Sequence, residues 1–219
     1  MNTRTISGRY SIREEVANSL THLLGILFSI TGMVILILSS SESGNIWRII
    51  SCVVFGMTLI LLYTASTLYH GIQNPSVKAF MRIIDHSSIF LLIAGTYTPF
   101  TLVNLRGPWG WSLFGIVWGL AFLGIIVQTA LLRQWVGISV GLYVIMGWAV
   151  VVAIKQMLVA VAPPGMMLLL AGGLAYTFGI IFYVWHRLPY HHAVWHLFVL
   201  AGSIFHFFAV LFYAVPLEY

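Results

Sequence analysis

Eight histidines fall in a chain of 219 residues of which only 7% are charged, and four of them, His191, His192, His196 and His206, lie within the apolar run PYHHAVWHLFVLAGSIFHFFAV. Residues four apart share a helix face, so His192 and His196 point the same way. At about 100° per residue, Ser203 and His206 continue that stripe. The stretch YTASTLYH repeats the spacing with Ser66 and His70, and places Tyr63 one turn further back. Asp85 and His86 open another apolar run, while Glu15, Asn18 and His22 stand at steps of three and four ahead of the first. Neutral imidazole binds zinc through nitrogen, and three protein ligands with an open fourth position is the usual catalytic arrangement. The residues therefore suggest His70, His192 and His196 as ligands of Zn2+. Asp85 would hold a bound water and accept its proton, and Ser66 would hydrogen-bond that water or a substrate carbonyl. Zinc lowers the pKa of its water to about 7, which suits attack on an amide or ester.

Other roles suit some of these side chains. An HxxxH pair alone also fits interhelical hydrogen bonding or a proton relay; His70 and Asp85 at the same depth favour coordination. Imidazole suits several metals. His22, His86 and His206 read as supports for the ligands or as satisfied core groups, and His186 and His191 as interfacial. Glu14, Glu15 and Asn18 suit the capping of the first helix, where acidic side chains favour the N-terminal end.

The elements that must position these residues follow from composition. The chain is 60% hydrophobic, with a mean hydropathy of +0.99, whereas soluble domains carry about 25% charged residues. It belongs in a membrane. A spanning helix needs roughly 20 apolar residues, and segments near 20–40, 47–69, 86–104, 111–131, 136–158, 165–185 and 193–214 satisfy that length. The separators SSSESGN, GIQNPSVKAFMR, NLRGPWG, RQW, VAPPG and HRLPYH are short and rich in turn residues or charge. The predicted fold class is therefore all-α, a polytopic membrane protein of seven transmembrane helices. Residues 1–19 form a short cytoplasmic N-terminal segment and 20–219 the transmembrane domain. No small-residue cleavage site follows at signal-peptide spacing, so the N-terminus is expected to be retained.

Charge sets the orientation. The net charge of +5 comes from basic residues scattered singly, which reads as topology rather than nucleic-acid binding. Arg4, Arg9, Arg13, Lys78, Arg82, Arg133 and Arg187 fall on one side; Arg48 and Arg106, with Lys155 nearby, fall on the other. The N-terminus is then cytoplasmic and the C-terminus external. The starts of segments one, three and seven and the end of segment two share the cytoplasmic leaflet, which gathers residues 15 to 196 at one depth. A carboxylate at such a depth costs about 2.5–3.5 kcal/mol or more without compensation, so Asp85 needs a partner. Trp109, Trp111, Trp135, Trp185 and Tyr190 suit an interfacial aromatic belt. The single cysteine, Cys52, excludes an intrachain disulfide and reads as core. The glycines of AGG at 171–173 and of GLAYTFG suit close helix packing.

Together and in this order, EEVANSLTH, STLYHG, DHSSIFLLIAGTYTPF and PYHHAVWHLFVLAGSIFHF resemble the hemolysin III branch of the progestin and adipoQ receptor family, from about residue 11 to the end. The resemblance implies seven helices, a cytoplasmic N-terminus and a zinc ion near the cytoplasmic face. The family's site residues match Ser66, His70, Asp85, His192 and His196. Relatives among the adiponectin receptors and alkaline ceramidases imply hydrolysis of a lipid amide such as ceramide. The bacterial branch implies a place in the inner membrane and a role in membrane lipid homeostasis, with membrane lipids as partners. The short N-terminus leaves no regulatory domain, so receptor function is not expected. A non-enzymatic, metal-stabilised lipid sensor and a hemolysin-like permeabilising protein remain the alternatives.

Overall fold

The computed structural model describes residues 10–42, 44–130 and 136–215, and these are almost entirely helical. Helix α1 (Ile12–Ser41) begins well before the first apolar run because Ser11 closes a capping box: its Oγ accepts the Glu14 N–H and its own N–H donates to the Glu14 carboxylate. Glu14 thus caps the helix as expected. Glu15, although in the first turn, and Asn18 make no cap and are buried instead.

Asn45 caps α2 (Ile46–Gly71) through the Trp47 N–H. Asn74 caps α3 (Pro75–Pro99), with Pro75 in the first turn where its missing N–H costs nothing. Helix α3 thus starts ahead of the apolar run that opens at His86, and it continues into a π-helical turn over Phe100–Asn104. After α4 (Pro108–Ala130) the separator RQW lies outside the described residues. The fifth apolar run is not one regular helix. Helix α5 (Val136–Gly147) gives way to a 3₁₀ stretch (Ala149–Ala153) and then α6 (Ile154–Ala160). Helices α7 (Pro163–Val184) and α8 (His191–Tyr213) follow, the latter entered through Tyr190 at φ 56°, in the left-handed region.

Six stretches among the described residues are long and apolar enough to cross a membrane: Ile12–Ser41, Ile46–Gly71, Pro108–Thr129, Gly137–Ala160, Pro163–Val184 and His191–Tyr213. Helix α3 is not among them, and its first half carries Lys78, Arg82 and Asp85. The helices close into a ring in which each packs on its neighbours in sequence and α8 returns to α1. Phe55, Tyr63, Phe90, Met146 and Met157 fill the interior, while Leu27, Leu38, Ile126, Val159 and Met167 point outward. A bundle apolar inside and outside suits hydrocarbon rather than water. Cys52 is core, and Trp109, Trp111, Trp185 and Tyr190 are exposed near helix ends. At Gly25 an added Cβ would strike the Tyr63 ring, so this glycine lets α1 and α2 meet closely.

Candidate metal centre and cavity

His70 ends α2 while His192 and His196 open α8, and antiparallel packing brings these ends together beside the start of α1. One nitrogen from each of His70, His192 and His196 lies within 4.8 Å of the others, and all three side chains are buried. Their surroundings fix which nitrogen faces inward. His70 Nδ1 lies 2.6 Å from Glu15 Oε2, and a carboxylate accepts only, so Nδ1 carries the hydrogen. His196 Nδ1 lies 3.1 Å from the Asn18 carbonyl oxygen and 3.1 Å from Thr21 Oγ1. That again makes Nδ1 the donor. His70 Nε2, His196 Nε2 and both nitrogens of His192 are left buried without a partner.

An unpaired buried polar atom costs about 1–3 kcal/mol. Several unpaired nitrogens gathered this closely are therefore a site that expects an occupant. An imidazole held by a carboxylate or carbonyl on its far nitrogen is the usual outer support of a metal-binding histidine. The donor set therefore fits a metal ion. Glu15 is held in turn by Lys78, whose Nζ lies 3.0 Å from Oε1 and donates to the Tyr69 carbonyl at 2.8 Å. Lys78 is consequently a buried tie between α1, α2 and α3. Tyr10 covers the cluster, its ring 5.1 Å from that of His192.

The other proposed site residues surround this cluster unequally. Asp85 is buried, 3.4 Å from His86 Nδ1, and shares a cavity wall with His22 and His192. Ser66 is buried one turn before His70 and is not part of that wall. His22 stacks on His196 at 3.5 Å between ring centroids, with both its nitrogens unpartnered. Sequence reasoning missed the roles of Glu15, Asn18 and Thr21. The available signal was their step of three along α1, which continues the face of His22 into an apolar helix.

The cavity encloses about 530 Å³. Its polar end is His22, Asp85, His86 and His192; from there Leu92, Ile93, Phe100, Val150, Met157 and Met166 make it apolar. Lining residues on α3 run from Asp85 into the π-helical turn at Thr101, about 24 Å at 1.5 Å per residue.

The haemolysin-III related family matches residues 10–207. The chain belongs to that family. Hemolysin-3 of Bacillus cereus is 48% identical over 205 residues, which cover 94% of each chain. The Hemolysin-3 homolog of Bacillus subtilis (strain 168) is 44% identical over 210 residues, covering 96% of this chain and 99% of its own. A human relative, Monocyte to macrophage differentiation factor, is 28% identical over 214 residues, covering 93% of this chain and 87% of its own. Family membership and the six apolar helices agree that this haemolysin-III related chain is a multi-pass membrane protein.

Proposed function

We propose that this haemolysin-III related protein is a zinc-dependent hydrolase of lipid amide or ester bonds, with seven membrane crossings, a cytoplasmic N-terminus and a role in membrane lipid homeostasis. One observation carries the reading: unpartnered histidine nitrogens gather in a cluster that reaches the polar end of a long apolar cavity through His192. His70, His192 and His196 would hold the ion. The ion, when bound, supplies Lewis acidity toward a water or an acyl carbonyl.

The chain's own residues do the rest. Glu15 and the Asn18 carbonyl keep two imidazoles in the tautomer that presents Nε2. Asp85, on the cavity wall, accepts a proton from the attacking water, and His86 beside it stabilises the carboxylate. Ser66, one turn from His70, supplies a hydroxyl at the level of the site. The apolar walls receive the acyl chain and keep bulk water from the reacting bond. With the N-terminus inside, the site opens at the cytoplasmic leaflet, where the chain of a membrane lipid has the shortest path to it.

Metal quantification by mass spectrometry on detergent-purified protein is the first test. The expected result is near one zinc per chain, lost in both His70→Ala and His192→Ala. Asp85→Asn is expected to retain zinc and to abolish fatty-acid release from lipid amides or esters. Normal turnover by that variant removes Asp85 from the chemistry. A second reading, a non-enzymatic metal-stabilised lipid sensor, draws on His22, whose unpartnered nitrogens beside His196 offer a further donor. A metal spectrum with four protein nitrogens and no exchangeable water selects that reading. The relatives named hemolysin motivate a permeabilising protein, which requires single-channel conductance from the purified chain.

A further inference from the structure

His206 lies ten residues beyond His196 on α8, about 15 Å deeper along the same face. Two features hold its ring in place. Gly172 of α7 leaves a niche for it, since a Cβ there would sit 2.8 Å from the imidazole. Tyr176, one turn on, stacks against it at 5.4 Å with an interplanar angle of 25°. Tyr176 is fixed in turn by a chain of hydroxyls: its OH lies 2.9 Å from Ser203 Oγ, which also accepts from Tyr63 OH at 2.7 Å. His206 and Tyr176 both line the apolar cavity.

His206 is 92% buried, its relative exposure being 8%, and its Nδ1 has no partner. The residue nonetheless lines the cavity, so an imidazole with an unpaired nitrogen stands in a largely apolar wall. A leucine or phenylalanine would fill this place without the penalty of an unpaired nitrogen. We propose that His206 and Tyr176 form a second subsite that recognises a hydroxyl or keto oxygen carried midway along an acyl chain. The chain's head would lie at the histidine cluster, so this inference rests on the acyl-binding reading of the cavity. An unsubstituted chain would pass the subsite without a bond to the imidazole; a mid-chain oxygen would make one. The subsite thus sets which chain is preferred and takes no part in bond cleavage.

The test uses purified full-length protein in detergent and three free acids: octadecanoic acid, its 2-hydroxy derivative and a mid-chain-hydroxylated derivative. Each is titrated against a radiolabelled saturated fatty acid. One added hydrogen bond of ordinary net strength corresponds to roughly three- to tenfold tighter binding. The mid-chain-hydroxylated acid is expected to bind tighter than octadecanoic acid by that factor, and the 2-hydroxy acid is not. His206→Phe, which keeps a ring in the niche, is expected to remove the preference while still binding octadecanoic acid, a result that also reports an intact cavity. Equal binding of all three acids by the wild type overturns the proposal, as does a preference that survives in His206→Phe. Should no acid bind the wild type, the acyl-binding reading of the cavity fails and this subsite fails with it.

Discussion

Glu15 stands 2.6 Å from His70 Nδ1 and 3.0 Å from Lys78 Nζ, buried on every side. A carboxylate in that position orients the imidazole and raises its basicity toward an ion on the far nitrogen. Replacing it should weaken the site without removing a ligand. Glu15→Gln is expected to lower metal affinity by about 10–100-fold, measured by competition with a chromophoric chelator; unchanged affinity would remove Glu15 from the site's support. The spacing of His192 and His196 was legible in the chain because the helical period puts both on one face. Glu15 was not, because its partner is 55 residues away and its place beside a helix start also suits capping. Only the capping box at Ser11 and Glu14, which already satisfies that terminus, frees Glu15 for the interior.

At the scale of elements, the break between α5 and α6 shapes the cavity wall. Tyr97 of α3 holds it: its OH lies 2.8 Å from the Gly147 carbonyl and 3.0 Å from that of Met146, and it accepts the Val150 N–H at 2.9 Å. These are backbone groups that an unbroken helix would satisfy internally. The phenol therefore substitutes for the missing helical bonds. Tyr97→Phe leaves them unpaired and is expected to destabilise the protein by about 1–3 kcal/mol, read as a lower thermal midpoint in detergent with metal content unchanged. An unaltered midpoint would mean that the 3₁₀ stretch supports itself. No hydropathy pattern revealed this break. AVVVA is as apolar as its flanks, and apolarity measures preference for hydrocarbon rather than the pattern of backbone bonds.

For the whole molecule, the consequence of the ring of helices is a site at one end and a cavity extending away from it. The cytoplasmic placement of that end rests on the positive-inside pattern, and a labelling experiment decides it. In a Cys52→Ser background, Gln73→Cys lies in the turn between α2 and α3, and Arg106→Cys in the turn between α3 and α4; both positions are exposed. In intact cells a membrane-impermeant maleimide is expected to label the cysteine at 106 and spare the one at 73. The reverse pattern inverts the protein and moves the histidine cluster to the outer leaflet.

The class needed nothing beyond the chain. Apolar lengths, short separators and helical spacing are properties of one segment at a time, and from them follow a polytopic helical protein, the stripe from His192 to His206 and the gathering of His70, Asp85 and His192 at one depth. Which nitrogens would be left unpartnered was decided only in three dimensions. So were the tie of Glu15 to His70 and Lys78, the niche that Gly172 offers His206, and the cavity itself. Each depends on the mutual rotation and distance of two or more helices, and side-chain packing across those contacts sets both only after the helices have met.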